Sequence, residues 1–540
     1  AEEASAMVRE YKGAFSGEHG DGLVRSEWVA WQFGPRLTRA FEEIKALFDP
    51  AGLMNPGKIV RPTRMDDATL FRFPPAYRVV PIVPALDWSA WNVQSDPVAE
   101  TTTAAGTGGD PAGGFAKAVE MCNNNGHCRK FDAGTMCPSF RVTRDEQHLT
   151  RGRANTLRLA LSGQLGPDAL QSQAVHDALD LCVSCKGCRR ECPTGVDMAK
   201  MKIEALYQRQ RTHRLPFKER AIAHLPRWAP LASRLPGLAT LRNRAGWLAR
   251  LGEKHLGIAA QRTLPAWRRD TFLRHATAAQ APAEVVLFVD TFTNYFEPEN
   301  AHAALAVLNA AGYRVAIARP ASGDRERTRP LCCGRTYLAA GMVDEARAEA
   351  RRMVAALAPH VAGGAAIVGL EPACLLSLRD ELQVLGLGED AKRIGDRAFL
   401  FEEFLAREDA AGRLKLLLRA LPETRALLHG HCHQKAFDAV DATRRVLALV
   451  PDLAVDVVES SCCGMAGSFG YDASHYDVSL RMAELALLPA VRAAAKDTLI
   501  VADGTSCRHQ IADGTREDAP RLAEHVVRVL ERALDPAASR

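Results

Sequence analysis

Four cysteines and a proline constrain this chain more than any other feature. They read Cys182-x2-Cys185-x2-Cys188-x3-Cys192-Pro193. Three thiolates at that spacing on one loop can wrap one face of a 4Fe-4S cubane, while the fourth, set before proline, points to the other cluster of a two-cluster module. A zinc site rarely needs this spacing together with the proline. The segment 116–215 holds seven cysteines between helical stretches, so a helical two-cluster domain is expected there.

The partner motif lies upstream as Cys122-x5-Cys128-x8-Cys137-Pro138. It is irregular, but it too ends in Cys-Pro. The exchange of fourth ligands between paired clusters assigns Cys137 to the cluster of Cys182, Cys185 and Cys188, and Cys192 to that of Cys122 and Cys128. The second set is one cysteine short. Either a non-cysteine ligand completes it, with His127 beside Cys128 as a candidate, or it is a 3Fe-4S cluster. Two clusters in one module pass electrons; they do not by themselves perform chemistry on a substrate.

Length and composition agree with a metal-bearing chain of several domains. The 540 residues suffice for about three to five domains, and 47% are apolar. The 14 cysteines cluster as CxxC and CC pairs in a long chain, which reads as metal binding in a reducing cytoplasm rather than as a disulfide framework. A net charge of +5 favours no nucleic-acid role. No apolar run reaches the roughly 18 residues of a membrane-spanning helix, so a cytoplasmic protein is expected, with peripheral membrane attachment left open. The opening AEEASAMVRE is polar and helical and does not resemble a signal peptide. Without an initiator Met, the chain is expected to be a fragment or a processed product.

The remaining organisation follows from breakers and repeats. Residues 1–60 carry a glycine-rich turn, Gly17 to Gly22, and a helix from about Pro35 to Phe48, stopped by Asp49-Pro50 and Asn55-Pro56-Gly57. Residues 61–115 read as a linker, ending in the flexible TTTAAGTGGDPAGG of Thr101 to Gly114. Residues 216–275 are basic and helical with Trp228, Trp247 and Trp267: a solvated connector, or a docking face for a partner or membrane surface.

Residues 276–405 and 406–540 form a duplication. LFVDTFTN (Leu287 to Asn294) parallels LHGHCHQK (Leu428 to Lys435), and Cys332-Cys333-Gly334 parallels Cys462-Cys463-Gly464 at an offset of 130. Cys374 matches Cys507 at an offset of 133. Strand-like runs alternate with helices, predicting two α/β units with largely parallel sheets.

The second repeat offers Cys432, Cys462, Cys463 and Cys507, with His431 and His433 beside the first. Adjacent cysteines can bridge two metals or a larger cluster, and the glycine after each pair permits a tight turn. A further iron–sulfur cluster and zinc are both open there. The first repeat keeps Cys332, Cys333 and Cys374, but Phe292 aligns with Cys432, so a ligand is lost and a degenerate relic is expected. At the other end, Ser16-Gly17-Glu18-His19-Gly20-Asp21-Gly22 sets a metal ligand type beside a proton acceptor.

These segments together carry a resemblance over nearly the whole chain. SGEHGDGLVRSE (Ser16 to Glu27) and FDPAGLMNPGKIV (Phe48 to Val60) resemble the end of the FAD-linked oxidase C-terminal domain. That domain belongs to the vanillyl-alcohol-oxidase type of flavoprotein, which includes D-lactate and D-2-hydroxyglutarate dehydrogenases. GTMCPSFRVTRDEQHLTRGRANTLR (Gly134 to Arg158) and CVSCKGCRRECPTGVDMAKMK (Cys182 to Lys202) resemble the ferredoxin-like module fused behind such flavoproteins. HCHQKA, SSCCGMAGSFGY and GTSCR resemble its cysteine-rich CCG domains, which also occur in heterodisulfide reductases and in the iron–sulfur components of glycolate oxidase and anaerobic glycerol-3-phosphate dehydrogenase.

The resemblance implies a mixed multidomain fold. The helical C-terminal stub of an α+β flavoprotein domain is followed by an α-helical two-cluster ferredoxin-like module and then two α/β CCG repeats. It implies FAD, held mostly by an N-terminal part that this chain lacks, and it implies D-2-hydroxyacid oxidation. Electrons would pass through the clusters to a quinone, a cytochrome or another carrier. Glu18 would be an active-site metal ligand, His19 the base that takes the hydroxyl proton, and Asn55 and Lys58 would sit near the flavin. A stand-alone iron–sulfur subunit docking on a separate flavoprotein, a metal-loaded scaffold without redox turnover, and a homo-oligomer remain as alternatives.

Overall fold

Parallel strand pairing organises the C-terminal half. In the computed structural model, which describes residues 2–15, 19–71, 73, 77–92, 110–130, 134–276, 282–517 and 520–535, the chain divides into two units, residues 1–78 and 79–540.

In the larger unit, β1 (Val285–Phe288), β2 (Val315–Ile317), β3 (Ala366–Gly369) and β4 (Ala398–Leu400) form a sheet in the order β2-β1-β3-β4. β5 (Arg425–Leu428), β6 (Ala454–Val457) and β7 (Leu499–Val501) form a second in the order β6-β5-β7. Every pairing among these seven strands is parallel. Parallel sheets are covered on both faces by their crossover helices, so their strands read as continuous apolar runs, as VVLF does with all four residues buried. One apolar core, running from Val285 and Leu287 to Leu428 and Val501, spans both sheets.

Each sheet presents its site at the carboxyl end of its first strand. Leu287 pairs with Ile317 and Val368, and Leu428 pairs with Val457 and Val501. After each strand one residue caps a short helix: Asp290 before Thr291–Phe296, and His431 before Cys432–Ala436. Counted in this register, Thr291 stands where the second repeat has Cys432. Phe292, expected at that position, lies one residue further on. The same register sets Phe288 opposite His429. Cys374 and Cys507 are each the third residue of their helices, Pro372–Leu375 and Thr505–Gly514. Gly334 and Gly464 follow the cysteine pairs at φ 78° and 83°, and a Cβ on Gly464 would meet the Ser479 carbonyl oxygen at 2.1 Å. Only glycine fits that turn.

The cysteine-rich helical module leads into this half. Its flank departs from the expected linker. The Glu204 carboxylate is fully buried and accepts hydrogen bonds from Ala85 N at 2.9 Å, Leu86 N at 3.0 Å and Trp88 Nε1 at 3.2 Å. Asp110 caps the turn before helix Phe115–Glu120, accepting from Ala112 N and Gly114 N. A buried carboxylate must be compensated by donors, and these segments supply them, so residues 79–92 and 110–114 are anchored. The remainder of the glycine-rich stretch lies outside the described residues. In the basic helical segment, Trp228 and Trp267 pack at 5.2 Å and Trp267 meets Phe296 at 4.5 Å, whereas Trp247 is exposed.

The smaller unit, residues 1–78, is built on helix Val29–Phe48, broken at Gly34. Asp49 ends it by accepting from Leu53 N at 2.9 Å and Met54 N at 2.8 Å and pairing with Lys45 at 2.6 Å. The hydrogen bond from Lys45 is the main reason its carboxyl falls to about 2. No helix among the described residues is long and apolar enough to cross a membrane.

Candidate metal centres

The loop with the CxxCxxC spacing is held in a shape that few side chains tolerate. Ser184 and Lys186, on either side of Cys185, both take left-handed φ values of 49° and 60°, a costly state for non-glycine residues. What holds it is a buried ion network. Lys186 is fully buried and lies 2.5 Å from Asp380 and 2.7 Å from Glu381, both from the first repeat. Lys200 reaches Asp380 at 2.6 Å, and Arg335 pairs with Glu381.

Cys137 caps helix Pro138–Thr143 in a left-handed conformation, with Pro138 at its first position. Its thiol accepts from Thr150 N at 3.1 Å. Burial pushes Cys137 up, and the nearby Cys182 adds to the rise. Burial also pushes Cys188 well up, helped by Asp197, Cys137 and Cys182. For Cys185, burial is followed by Cys432, Cys188 and Cys182. Cys137, Cys182, Cys185 and Cys188 are therefore neighbours; Cys182 is half-buried, and the buried thiols of Cys137, Cys185 and Cys188 need a bound cation to ionise. A cluster-bound metal meets that need, since ligation displaces the thiol protons.

The second set is looser. Burial raises Cys128 to about 11, with Cys137 and Cys122 contributing. Cys122 Sγ lies 3.9 Å from Asn124 Oδ1, and the half-buried Cys192 has its Sγ 3.4 Å from Thr194 Oγ1. His127 is exposed while Cys128 is buried, which argues against the imidazole as a ligand.

The second repeat packs directly on the cluster loop. His433 Nε2 lies 3.1 Å from the Ser184 carbonyl oxygen, and Arg190 Nη1 donates to the Lys435 carbonyl at 2.7 Å. Cys185 joins Cys432, Cys462, Cys463 and Cys507 in one buried cluster. His431 caps its helix through Nδ1, which accepts from His433 N at 3.1 Å. Burial lowers His431 to about 4 and lowers His429 and His433 as well, so these rings are neutral. Cys463 is held well below the usual thiol range by hydrogen bonds from Cys462, then Cys507, with His429 adding to the effect. The donor atoms of His429, Cys463 and Cys507 lie within 4.8 Å of one another. His429 was not among the residues expected from sequence. Comparing the two repeats column by column, with Phe288 against His429, carries the signal that singles it out.

The first repeat retains a chain of buried thiols, Cys332 to Cys333 to Cys374. In the smaller unit, His19 and Asn55 are exposed, Asn55 has φ 47°, and Lys58 Nζ lies 3.4 Å from the Pro56 carbonyl oxygen. Glu18 lies outside the described residues. Phe33, Leu37, Ile44, Leu47 and Phe48 expose apolar surface along helix Val29–Phe48.

A helical module that gathers cysteines at two-cluster spacing, packed on paired cysteine-rich α/β domains, defines an iron–sulfur electron-transfer protein. The family comparisons agree. Residues 1–59 match the FAD linked oxidases C-terminal domain, residues 118–196 the 4Fe-4S dicluster domain, and residues 290–379 and 426–512 the cysteine-rich domain. D-2-hydroxyglutarate dehydrogenase of Pseudomonas putida is 27% identical over an alignment of 584 residues, covering 98% of this chain and 52% of that protein. The enzyme of the same name from Escherichia coli K12 is 25% identical, covering 97% and 52%. The anaerobic glycerol-3-phosphate dehydrogenase of Escherichia coli K12 has one component that is 30% identical over 285 residues, covering 52% of this chain and 67% of that component. The chain belongs to the family of that 30%-identical component, and it joins a dicluster domain and paired cysteine-rich domains to a stretch that matches the end of the FAD linked oxidases C-terminal domain. It spans about half the length of the D-2-hydroxyglutarate dehydrogenases it matches.

Proposed function

We propose that this chain carries electrons away from a flavin during oxidation of a D-2-hydroxyacid to the 2-oxoacid, with D-2-hydroxyglutarate as the first candidate and D-lactate the second. The supporting observation is the continuity of thiols from the cluster loop into the second repeat through Cys185 and Cys432. When bound, the clusters supply one-electron carriers that divide a two-electron oxidation into single transfers. The chain's residues hold and shield them. Cys137, Cys182, Cys185 and Cys188 serve one 4Fe-4S cluster. Cys122, Cys128 and Cys192 serve a second cluster, a 4Fe-4S with one non-cysteine ligand or a 3Fe-4S. Cys432, Cys462, Cys463 and Cys507 serve a further centre. Buried Lys186 and half-buried Arg335 counter the negative charge that thiolates and carboxylates concentrate there.

In the smaller unit, Glu18 is proposed as a ligand for an active-site metal and His19 as the base for the substrate hydroxyl. Asn55 and Lys58 approach the flavin, and the apolar face of helix Val29–Phe48 meets the flavin-binding portion, since exposed apolar patches of this kind mark interaction surfaces. The electron acceptor is a quinone, cytochrome or other carrier.

The likeness to a component of glycerol-3-phosphate dehydrogenase favours one second reading, an electron-transfer protein serving a separate flavoprotein. EPR of the anaerobically reconstituted, dithionite-reduced chain tests the redox role: silence together with zinc by elemental analysis refutes it. Addition of D-2-hydroxyglutarate to the flavin-containing assembly tests the substrate. Cluster reduction by D-lactate but not D-2-hydroxyglutarate would replace the first candidate with the second.

A further inference from the structure

His429 belongs to no hydrogen-bonding scheme that uses both ring nitrogens. It sits at the carboxyl end of β5, directly after Leu428, and is 1% exposed. Its Nδ1 lies 3.0 Å from Ser460 Oγ. Ser460 Oγ already accepts from Lys435 Nζ at 3.1 Å and keeps a second lone pair for an Nδ1–H donor. Nε2 is buried with no nitrogen or oxygen partner, and the polar group beside the ring is the Cys463 thiol. Buried polar atoms are nearly always partnered, and this one belongs to a ring whose donor atom falls within 4.8 Å of the thiols of Cys463 and Cys507. A ligating imidazole is oriented in this way, with the far ring nitrogen donating to an outer acceptor and the near one presenting its lone pair.

The duplication supplies an independent argument. The first repeat keeps its Cys-Cys-Gly turn and its third cysteine, but Phe288 replaces His429 and Thr291 replaces Cys432. Both positions differ between the repeats, as expected where one ligand set is present in one repeat and absent from the other. His431 caps its helix, and His433 is tied to the Ser184 carbonyl through Nε2; His433 also leaves its Nδ1 buried without a partner, but of the three rings it is His429 whose donor atom groups with Cys463 and Cys507.

We infer that His429 Nε2 is a ligand of the second-repeat centre beside Cys432, Cys462, Cys463 and Cys507, and that this centre is a polynuclear iron–sulfur group with mixed thiolate and imidazole ligation. Five donors exceed the four positions of one tetrahedral zinc. The inference rests on the proposed electron-transfer reading. Replacing thiolates by imidazoles raises the potential of an iron–sulfur centre, which would make this site the electron sink relative to the all-cysteine cluster on the neighbouring loop.

The test uses the full chain reconstituted anaerobically with iron and sulfide. Pulsed EPR of the wild type is expected to show a coupled nitrogen that is lost in His429→Ala, while the signals of the loop clusters persist. Optical redox titration is expected to show a lower midpoint in His429→Cys, where a thiolate replaces the imidazole. A nitrogen coupling that is absent from the wild type or survives His429→Ala overturns the assignment, as does an unchanged midpoint in His429→Cys. Cys463→Ala separates the two failures. If that variant binds as much iron as the wild type, or zinc alone occupies the site, the centre itself is wrong; if it loses iron while the His429 readouts fail, only the ligand is wrong.

Discussion

Lys186→Met probes how the cluster loop is tied to the first repeat. Methionine keeps the bulk and the apolar stem of the side chain and removes the charge. Removing one partner of a buried ion pair costs about 3–5 kcal/mol, because the other charge is stranded. Here Lys200 remains 2.6 Å from Asp380 and Arg335 remains paired with Glu381, so neither carboxylate is left alone. The expected loss is therefore at the low end, about 3 kcal/mol, which is roughly a 10²-fold rise in local opening. Hydrogen exchange of peptides covering 182–192 and 376–385 reads that opening locally, which matters in a chain of several domains whose unfolding is not two-state. Both peptides should accelerate together. Unchanged exchange in both, or acceleration in one alone, refutes the argument that Lys186 is the tie.

Burial, with Asp290 nearby, raises Glu371 from its ordinary 4.5 to about 7. An acid raised on folding favours the folded state below about 4.5 and loses that contribution as pH climbs through 7, a span of roughly 3 kcal/mol. Glu371→Gln should lack this pH dependence, so the wild-type-minus-variant difference in exchange protection of a peptide covering 370–375 should fall by roughly 3 kcal/mol between pH 4.5 and 7, and a constant difference would refute it. Thr291→Cys should increase the iron or zinc bound per chain by restoring a fourth thiol to the first repeat, whereas Phe292→Cys should not; equal uptake by both would refute the register. Cys188→Ala should abolish an EPR signal of the dithionite-reduced chain, and Cys432→Ala should leave that signal in place. Glu204→Gln places an amide against donors that now meet a carboxylate, and the Ala85 and Leu86 amides should lose about 2 kcal/mol of exchange protection.

The cysteine spacing was legible because three of a cluster's ligands sit on one short loop, so Cys182, Cys185 and Cys188 declare themselves without a fold. The duplication was legible because Cys-Cys-Gly turns and strand-to-helix transitions recur at nearly constant offsets. The alignment was nonetheless one residue out at the first helix. Phe292 was set against Cys432, although the pairing of LFVDTFTN with LHGHCHQK already puts Thr291 there, and the matching caps at Asp290 and His431 after β1 and β5 fix that register. Residues 79–92 read as a linker because prolines and short apolar runs have no period. Their anchor, Glu204, lies more than a hundred positions away, so nothing local could announce it.

Composition and spacing alone thus determined the class of chemistry: thiolates grouped for iron–sulfur clusters, carried on helices and on a pair of parallel α/β repeats. The tertiary structure decided which groups meet. It set Lys186 against Asp380 and Glu381, brought Cys185 beside Cys432, and turned His429 toward Cys463 and Cys507. The physical reason is one of range. Cluster-binding loops and strand periodicity are local properties of a chain, whereas the pairing of buried charges and the aim of a buried imidazole depend on which distant segments exclude water together.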